Sequence, residues 1–126
     1  MPGPLLPVYI VDDDEAVRDS IRMLLESSGF PAREFPSADL FLQADTADMG
    51  CLLLDLHMPG ISGLELLRLL RSRGMRRPVI VVSGRRDPLQ DAEVWAAGAS
   101  ALLSKPFDDQ QMLELVADAL RPEAIR

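Results

Sequence analysis

Hydrophobic residues form short continuous runs along the chain. These runs alternate with longer stretches in which the hydrophobic residues are spaced apart by polar ones. Four runs are almost wholly apolar, at residues 8–11, 51–56, 79–82 and 101–104, and a weaker one covers 32–35. Strands of a parallel sheet that is covered on both faces have near-continuous hydrophobic runs of this length. The pattern therefore predicts five buried strands.

The stretches that follow these runs carry apolar residues every three or four positions, which is typical of helices with one buried face. Asp14, Ser37 and Asp108 are suited to capping the starts of three of them. The predicted helices cover about 15–27, a short segment after Ser37, 64–74, 87–97, and the stretch from Asp108 to about 120. In the last helix we expect Leu113, Val116, Ala117 and Leu120 to face inward, with Met112 and Leu115 outside that stripe.

The order of these elements predicts the fold class. Strands that alternate with helices form a parallel sheet with helices on both faces, and right-handed connections make it a doubly wound α/β sandwich. The chain has 126 residues, the size of one domain. We therefore expect a single domain over 1–126, with its core in about 7–121 and a tail at each end.

Charge and composition narrow the functions that this fold could have. The chain has 13 Lys and Arg against 20 Asp and Glu, a net charge of −7, whereas nucleic-acid-binding surfaces are basic. No apolar run approaches the ~20 residues of a membrane helix, and the single cysteine, Cys51, cannot form an internal disulfide. We expect a cytoplasmic protein that binds neither nucleic acid nor membrane directly.

Polar side chains follow the carboxyl ends of the predicted strands, where open parallel sheets bind their ligands. They are Asp12 and Asp13, Asp55, Ser83, and Ser104 with Lys105. A charge directly after an apolar run is uncommon without a partner, and carboxylates that cluster repel one another unless a cation intervenes. Oxygen ligands with an open side suit Mg²⁺, which often bridges to a phosphate. The nearby ammonium could neutralise a phosphoryl oxygen.

Four segments carry a resemblance to a known family. They are IVDDDEAVRDSI at 10–21, LLLDLHMPGISGLELL at 52–67, VIVVSG at 79–84 and LLSKPF at 102–107. Together they resemble the receiver domain of two-component response regulators over essentially all of residues 7–121. They are most similar to the FixJ-type subfamily with LuxR/NarL-type output, whose receivers usually precede a helix-turn-helix DNA-binding domain. An effector domain could therefore follow residue 126.

The resemblance implies a role for each strand-end residue. Asp55 would accept a phosphoryl group from a sensor histidine kinase. Asp12 and Asp13 would hold Mg²⁺, or Mn²⁺ in its place, together with Asp55 and the backbone carbonyl of His57. Ser83 and Lys105 would contact the phosphoryl oxygens. The domain would be a signalling module that assists its own phosphorylation and dephosphorylation.

Further positions follow from the same resemblance. The fold would be flavodoxin-like with strand order 2-1-3-4-5, and the peptide bond before Pro106 would be cis. His57 and Arg85, each two residues beyond a site residue, would border the site and tune the phosphoryl lifetime, unless they are solvated loop residues. Leu102 occupies the switch position that holds an aromatic ring in most of the family, so an aromatic-rotamer switch is excluded and strand-edge packing is expected there.

Phosphorylation would change a surface made of the fourth helix, the fifth strand and the fifth helix, most simply by forming a homodimer that controls transcription. Leu102 and Leu103 alternate on that strand, so one of them could face a partner. Trp95 is expected to pack in the core. The arginine run at 68, 71, 73, 76 and 77 is expected to be a solvated helix end.

Two other functions remain open at this point. Asp12-Asp13-Asp14 also fits the DxD nucleophile motif of haloacid-dehalogenase-type phosphatases, with Ser83, Lys105 and Asp108-Asp109 in the remaining roles. That interpretation leaves Asp55 unexplained. The alternative is an interaction module of the same fold that works without phosphorylation.

Overall fold

A computed structural model describes residues 6–44 and 50–121 of the chain. Its sheet has five parallel strands in the order β2-β1-β3-β4-β5, which confirms the predicted flavodoxin-like α/β fold. The elements are β1 (Val8–Val11), α1 (Glu15–Ser27), β2 (Ala32–Phe35), α2 (Ala38–Gln43), β3 (Cys51–Asp55), α3 (Gly63–Ser72), β4 (Val79–Ser83), α4 (Pro88–Ala96), β5 (Ala101–Ser104) and α5 (Asp109–Ala119).

The sheet separates two hydrophobic cores. Successive residues of a strand point to opposite faces, so Tyr9 and Val11 of β1 pack with α2, α3 and α4, whereas Val8 and Ile10 pack with α1 and α5. Both faces of the central strands are thus buried, which explains why these strands are continuous hydrophobic runs. Within 6–44 and 50–121, no helix is both long and apolar enough to cross a membrane.

Strand register brings the carboxyl ends of four strands to one edge. Asp55 lies beside Val82 in the ladder between β3 and β4, and Ser83 lies beside Ser104 in the ladder between β4 and β5. The backbone N–H of Lys105 donates to the carbonyl of Ser83 at 2.8 Å. The residues that follow β1, β3, β4 and β5 therefore share one edge of the sheet.

The helix boundaries differ slightly from those predicted because capping side chains set them. Helix α3 begins at Gly63 because Ser62 caps it: its hydroxyl accepts from the backbone N–H of Glu65, whose carboxylate in turn accepts from the N–H of Ser62. Asp14, Ser37 and Asp108 cap their helices as predicted.

Two expectations about buried side chains are wrong. In α5 Val116 is buried and Leu113 and Leu120 pack against the core, as predicted. Met112 and Ala119 are buried as well and Ala117 is exposed, so the buried face is rotated relative to the predicted stripe. In α4 Val94 is the residue buried against the sheet. Adjacent helical residues do not share a face, and Trp95 is accordingly 50% exposed rather than packed in the core.

Part of the arginine run differs from the expected solvated helix end: Arg68, Arg73 and Arg76 are exposed, but Arg71 is half-buried and Arg77 is buried. Arg77 is fully buried, with its guanidinium carbon 5.4 Å from the ring centre of Tyr9 and 5.6 Å from that of Phe41. Arg71 donates to the backbone carbonyls of Met75, Arg77 and Gly98 at 2.8–2.9 Å. Both arginines serve the fold, at the end of the sheet opposite the strand-end carboxylates.

A glycine allows α3 to start directly against the end of β3. The N–H of Gly63 donates to the carbonyl of Leu56 at 3.1 Å. A Cβ atom at Gly63 would lie 2.4 Å from the carbonyl oxygen of Asp55 and 2.8 Å from the Cα atom of Leu56. Both are backbone atoms, so a side chain here would push α3 away from the strand end.

We therefore expect Gly63→Ala to lower the free energy of unfolding by about 1–3 kcal/mol, the usual cost of overpacking. Gly84→Ala is the matched control, because a Cβ atom there would meet only the Cδ atom of Lys105, at 3.9 Å. Its effect should stay within about 0.5 kcal/mol. Urea unfolding of both variants checks this, and equal effects would contradict the steric argument.

Candidate functional site

Three carboxylates meet at the carboxyl edge of the sheet. Asp12 and Asp55 are buried, with 3% and 6% of their surfaces exposed, and Asp13 is exposed. One carboxylate oxygen from each residue lies within 4.8 Å of the other two. The predicted convergence of these three side chains is therefore present in the structure.

A single ammonium reaches this cluster. The Nζ atom of Lys105 lies 3.3 Å from Oδ2 of Asp12 and 3.6 Å from Oδ1 of Asp55. Lys105 is the only lysine in the sequence, and its peptide bond to Pro106 is cis. The ammonium contacts two of the three carboxylates, so the cluster retains an excess of negative charge that a cation could neutralise.

Backbone groups orient the carboxylates. The N–H of Asp14 donates to Oδ1 of Asp12 at 2.9 Å, and the N–H of His57 donates to Oδ1 of Asp55 at 3.3 Å. Arg18 donates from Nη1 to the carbonyl of Asp12 at 2.7 Å. The carboxylates are thus held in place from the loops after β1 and β3.

Burial, and after it the negative charge of Asp12, raise the pKa of Asp55 from 3.8 to about 6. The charge of Lys105 and the hydrogen bond from His57 lower the same pKa but do not offset the burial. In the protein without a bound cation, the ionised form of Asp55 therefore lowers the free energy of unfolding.

The donor set fits a hard divalent cation. Carboxylate oxygens are the protein ligands of Mg²⁺, which keeps several waters and leaves room for a phosphate oxygen. The exposed Asp13 gives the cluster an open side. Beside it lies a cleft of about 430 Å³ lined by Asp55, His57, Gly84, Arg85 and Lys105. His57 and Arg85 thus border the site as predicted.

Ser83 is fully buried at the end of β4, between β3, which ends at Asp55, and β5, which Lys105 follows. Its hydroxyl donates to the carbonyl of Arg85 at 2.6 Å and accepts from the N–H of Arg85 at 3.2 Å. In this structure the hydroxyl is therefore engaged by the β4–α4 loop.

Sequence reasoning missed Arg86. Its Nη1 atom donates to Oγ of Ser104 at 2.8 Å, and its Nε atom lies 2.8 Å from Oδ2 of Asp91 in α4. Ser104 thus faces Arg86 and is not part of the carboxylate cluster. Arg86 is separated from Ser104 by 18 positions, and no motif in the sequence indicated this contact.

The expected output surface is less apolar on β5 than the alternation of leucines suggested. Leu103 is buried on the α1/α5 side, and Leu102 is half-buried against the core on the other side. Met112 is buried and Leu115 is half-buried. Of the two leucines on β5, Leu102 is thus the one that remains partly exposed, whereas the expectation that Met112 lies outside the buried face of α5 is wrong.

The phosphatase interpretation assigned Asp108 to the active site. In the structure Asp108 caps α5, and its carboxylate accepts from the N–H of Gln110 at 3.0 Å. Asp55, which that interpretation left unexplained, is a member of the carboxylate cluster.

Comparison with known proteins identifies a family. Residues 8–117 match the model of the response regulator receiver domain. The transcriptional regulatory protein FixJ of Azorhizobium caulinodans is 47% identical over 116 residues, which are 91% of this chain and 55% of that protein. The transcriptional regulatory protein TdiR of Thauera aromatica is 40% identical over 119 residues, 94% of this chain and 52% of that protein.

A solved structure gives the same result. The crystal structure of FixJ-N has a TM-score of 0.84 and 38% sequence identity, and the match covers 94% of each chain. The chain spans about half the length of the curated relatives that it matches.

The pKa of Asp55 predicts a pH-dependent effect of removing its charge. The folded-state pKa of about 6 lies above the ordinary 3.8, so the native state binds the proton more tightly. Ionised Asp55 thus costs stability above about pH 6, and the cost disappears as the pH falls towards 4. In EDTA near pH 7.5, Asp55→Asn should raise the free energy of unfolding by about 1–3 kcal/mol.

Denaturant titrations across this pH range test the prediction. The difference between variant and parent should shrink as the pH falls to about 4.5. Asp39→Asn, which changes an exposed carboxylate of α2, should give a small difference that does not follow this course. A stabilisation by Asp55→Asn that is independent of pH, or a loss of stability at neutral pH, would contradict the assigned cost.

Proposed function

Because the chain belongs to the response regulator receiver domain family, we propose that it accepts a phosphoryl group on Asp55 from a sensor histidine kinase. Asp12, Asp13 and Asp55 would hold Mg²⁺ for this step. The observation that carries the proposal is the buried Asp55 carboxylate, which lies beside two further carboxylates and one ammonium at the rim of an open cleft.

The reaction follows from charge. A carboxylate oxygen of Asp55 attacks phosphorus, the bond from phosphorus to the histidine nitrogen breaks, and the nitrogen keeps the electron pair. A bound Mg²⁺ would supply positive charge that offsets the repulsion between the carboxylates and the incoming phosphoryl group. Lys105, whose Nζ lies 3.6 Å from Oδ1 of Asp55, adds its own positive charge, so with the cation held by the three aspartates the transition-state oxygens would be stabilised from two sides.

His57 and Arg85 are proposed to set how long the phosphoryl group persists. Both line the cleft beside Asp55 and Lys105. A water that attacks the aspartyl phosphate through this cleft would therefore approach beside these two residues. The chain would in this way assist both its phosphorylation and its dephosphorylation, without being an enzyme that acts on a separate substrate.

Ser83 connects the site to the proposed output. Its hydroxyl now donates to the carbonyl of Arg85, and a phosphoryl oxygen on Asp55 would be a stronger, charged acceptor. Turning the hydroxyl towards that oxygen would release the β4–α4 loop, which leads into α4. Leu89 and Trp95 of α4 are 79% and 50% exposed, and we propose that they contact a second copy of the chain.

The relatives named transcriptional regulators suggest that this switch controls transcription. They are about twice as long as the aligned segment. The chain would then act as the receiver part of such a regulator, and its homodimer would govern a DNA-binding part of the same protein. The cytoplasm is the expected location of that complex.

Labelling with a small phosphodonor tests the site. Incubation with acetyl phosphate and Mg²⁺ should add one phosphoryl group by intact mass, and Asp55→Asn should abolish it. Asp13→Asn should raise the Mg²⁺ concentration required by about ten-fold or more, since losing even an outer-shell partner of a metal ligand costs about that much affinity. Asp39→Asn is the control and should label like the parent. Persistent labelling of Asp55→Asn would point to Asp12 and revive the phosphatase interpretation.

Sedimentation tests the output surface. The parent should be monomeric alone and dimeric with beryllofluoride, a stable phosphoryl mimic. Leu89→Glu should stay monomeric, because it puts a charge on the proposed contact. Met23→Glu is the matched control, because Met23 is 66% exposed on α1, which packs on the other face of the sheet. Identical profiles for all samples would exclude the homodimer.

A further inference from the structure

We propose that Arg18 is a positioning residue for the cation site, because its guanidinium holds the peptide that joins Asp12 to Asp13. This inference rests on the proposed function, in which both carboxylates bind a divalent cation. Arg18 itself contacts neither carboxylate in the described contacts; it acts on the backbone between them.

The contacts of Arg18 hold its side chain in one place. Nη1 donates to the carbonyl of Asp12 at 2.7 Å, and Nε lies 3.3 Å from Oε1 of Glu34 on β2. The side chains of Arg18 and Glu34 are only 12% and 14% exposed. The donors of a guanidinium lie in one rigid plane, so the pair with Glu34 fixes the direction in which Arg18 donates to Asp12.

The carbonyl of Asp12 belongs to the peptide at which the chain leaves the sheet after β1. On its N-terminal side, the N–H of Asp12 donates to the carbonyl of Phe35 at 3.2 Å, and the Asp12 carboxylate accepts from the N–H of Asp14, two residues further on. On its C-terminal side the chain leaves the sheet, and Asp13 is exposed. Arg18 therefore fixes the plane of the peptide from which the exposed ligand, Asp13, begins.

The positive charge of Arg18 and its hydrogen bond to Asp12 have opposite effects on cation binding. Arg18 carries a positive charge next to a site for a cation, so removing that charge alone would strengthen cation binding. Loss of the hydrogen bond to the Asp12 carbonyl would weaken binding, because the two carboxylates would no longer be held at one spacing. The two explanations thus predict changes of opposite sign.

Arg22 is a matched control on the same helix. It lies one turn further along α1 and pairs with the same carboxylate, with Nη1 3.1 Å from Oε2 of Glu34. Its other ion pair, to Glu26, is 3.8 Å long. Replacing Arg22 removes one positive charge and one ion pair to Glu34 but leaves the contact between Arg18 and Asp12 in place.

Direct binding of Mn²⁺, followed by electron paramagnetic resonance of the free ion, tests the inference with the full chain. Arg18→Met should raise the Kd about ten-fold, the lower end of the effect of outer-sphere partners. Arg22→Met should stay within about two-fold of the parent, or bind slightly more tightly. Labelling of Arg18→Met by acetyl phosphate should return to the parent's rate at saturating Mg²⁺.

Arg18→Lys covers the case in which Arg18→Met does not fold. It keeps the charge but lacks the planar pair of donors, so a weaker affinity for Mn²⁺ supports positioning. An unchanged or tighter Kd in the Arg18 variants, or an equal loss in Arg22→Met, would overturn the inference. Failure of the proposed cation site would give a different result from failure of this inference. In that case Asp13→Asn would bind Mn²⁺ as tightly as the parent does.

Discussion

The mutual repulsion of carboxylates at the end of the sheet is the constraint on which the rest of the site depends. Asp12 and Asp55 are buried beside each other, and Lys105 is the ammonium that reaches both. The charge of Lys105 does not offset the burial of Asp55 and its repulsion by Asp12, and the pKa of Asp55 rises to about 6. An ionised group that lowers stability in the free protein gains the most from a bound cation, so the burial and repulsion that lower stability also create the affinity for a cation.

The fold imposes this arrangement through its topology. The order β2-β1-β3-β4-β5 places β1 beside β3 at the centre of the sheet, with β4 and β5 next in line. Residues that are distant in sequence therefore leave the sheet at one edge. The close approach of Gly63 to Asp55 and the contact of Arg18 with Asp12 fix the two loops from which the carboxylates extend. Packing energy is thus what holds the like charges together.

Most of the fold and of the carboxylate cluster could be predicted from the sequence. The fold follows from the spacing of the apolar residues, and the cluster follows from the polar residues that stand at the ends of the predicted strands. Asp55 and Lys105 stand at the ends of apolar runs, and parallel strands must bring such ends together. Other features depend on packing that no local pattern contains. The rotation of α5 that buries Met112 and the burial of Arg77 against aromatic rings are set by neighbouring elements. The contact of Arg86 with Ser104 joins two loops that are adjacent only in the folded chain.

The central claim is that Asp55 is the residue that carries the phosphoryl group. Borohydride reduces an aspartyl phosphate to homoserine and leaves a free carboxylate unchanged, so it marks the acceptor permanently. After phosphorylation in the presence of Mg²⁺, reduction and peptide mass spectrometry should place homoserine at position 55, and omission of Mg²⁺ should remove it. Homoserine at position 12 or 13, or no homoserine while a phosphoryl group is bound, would contradict the account.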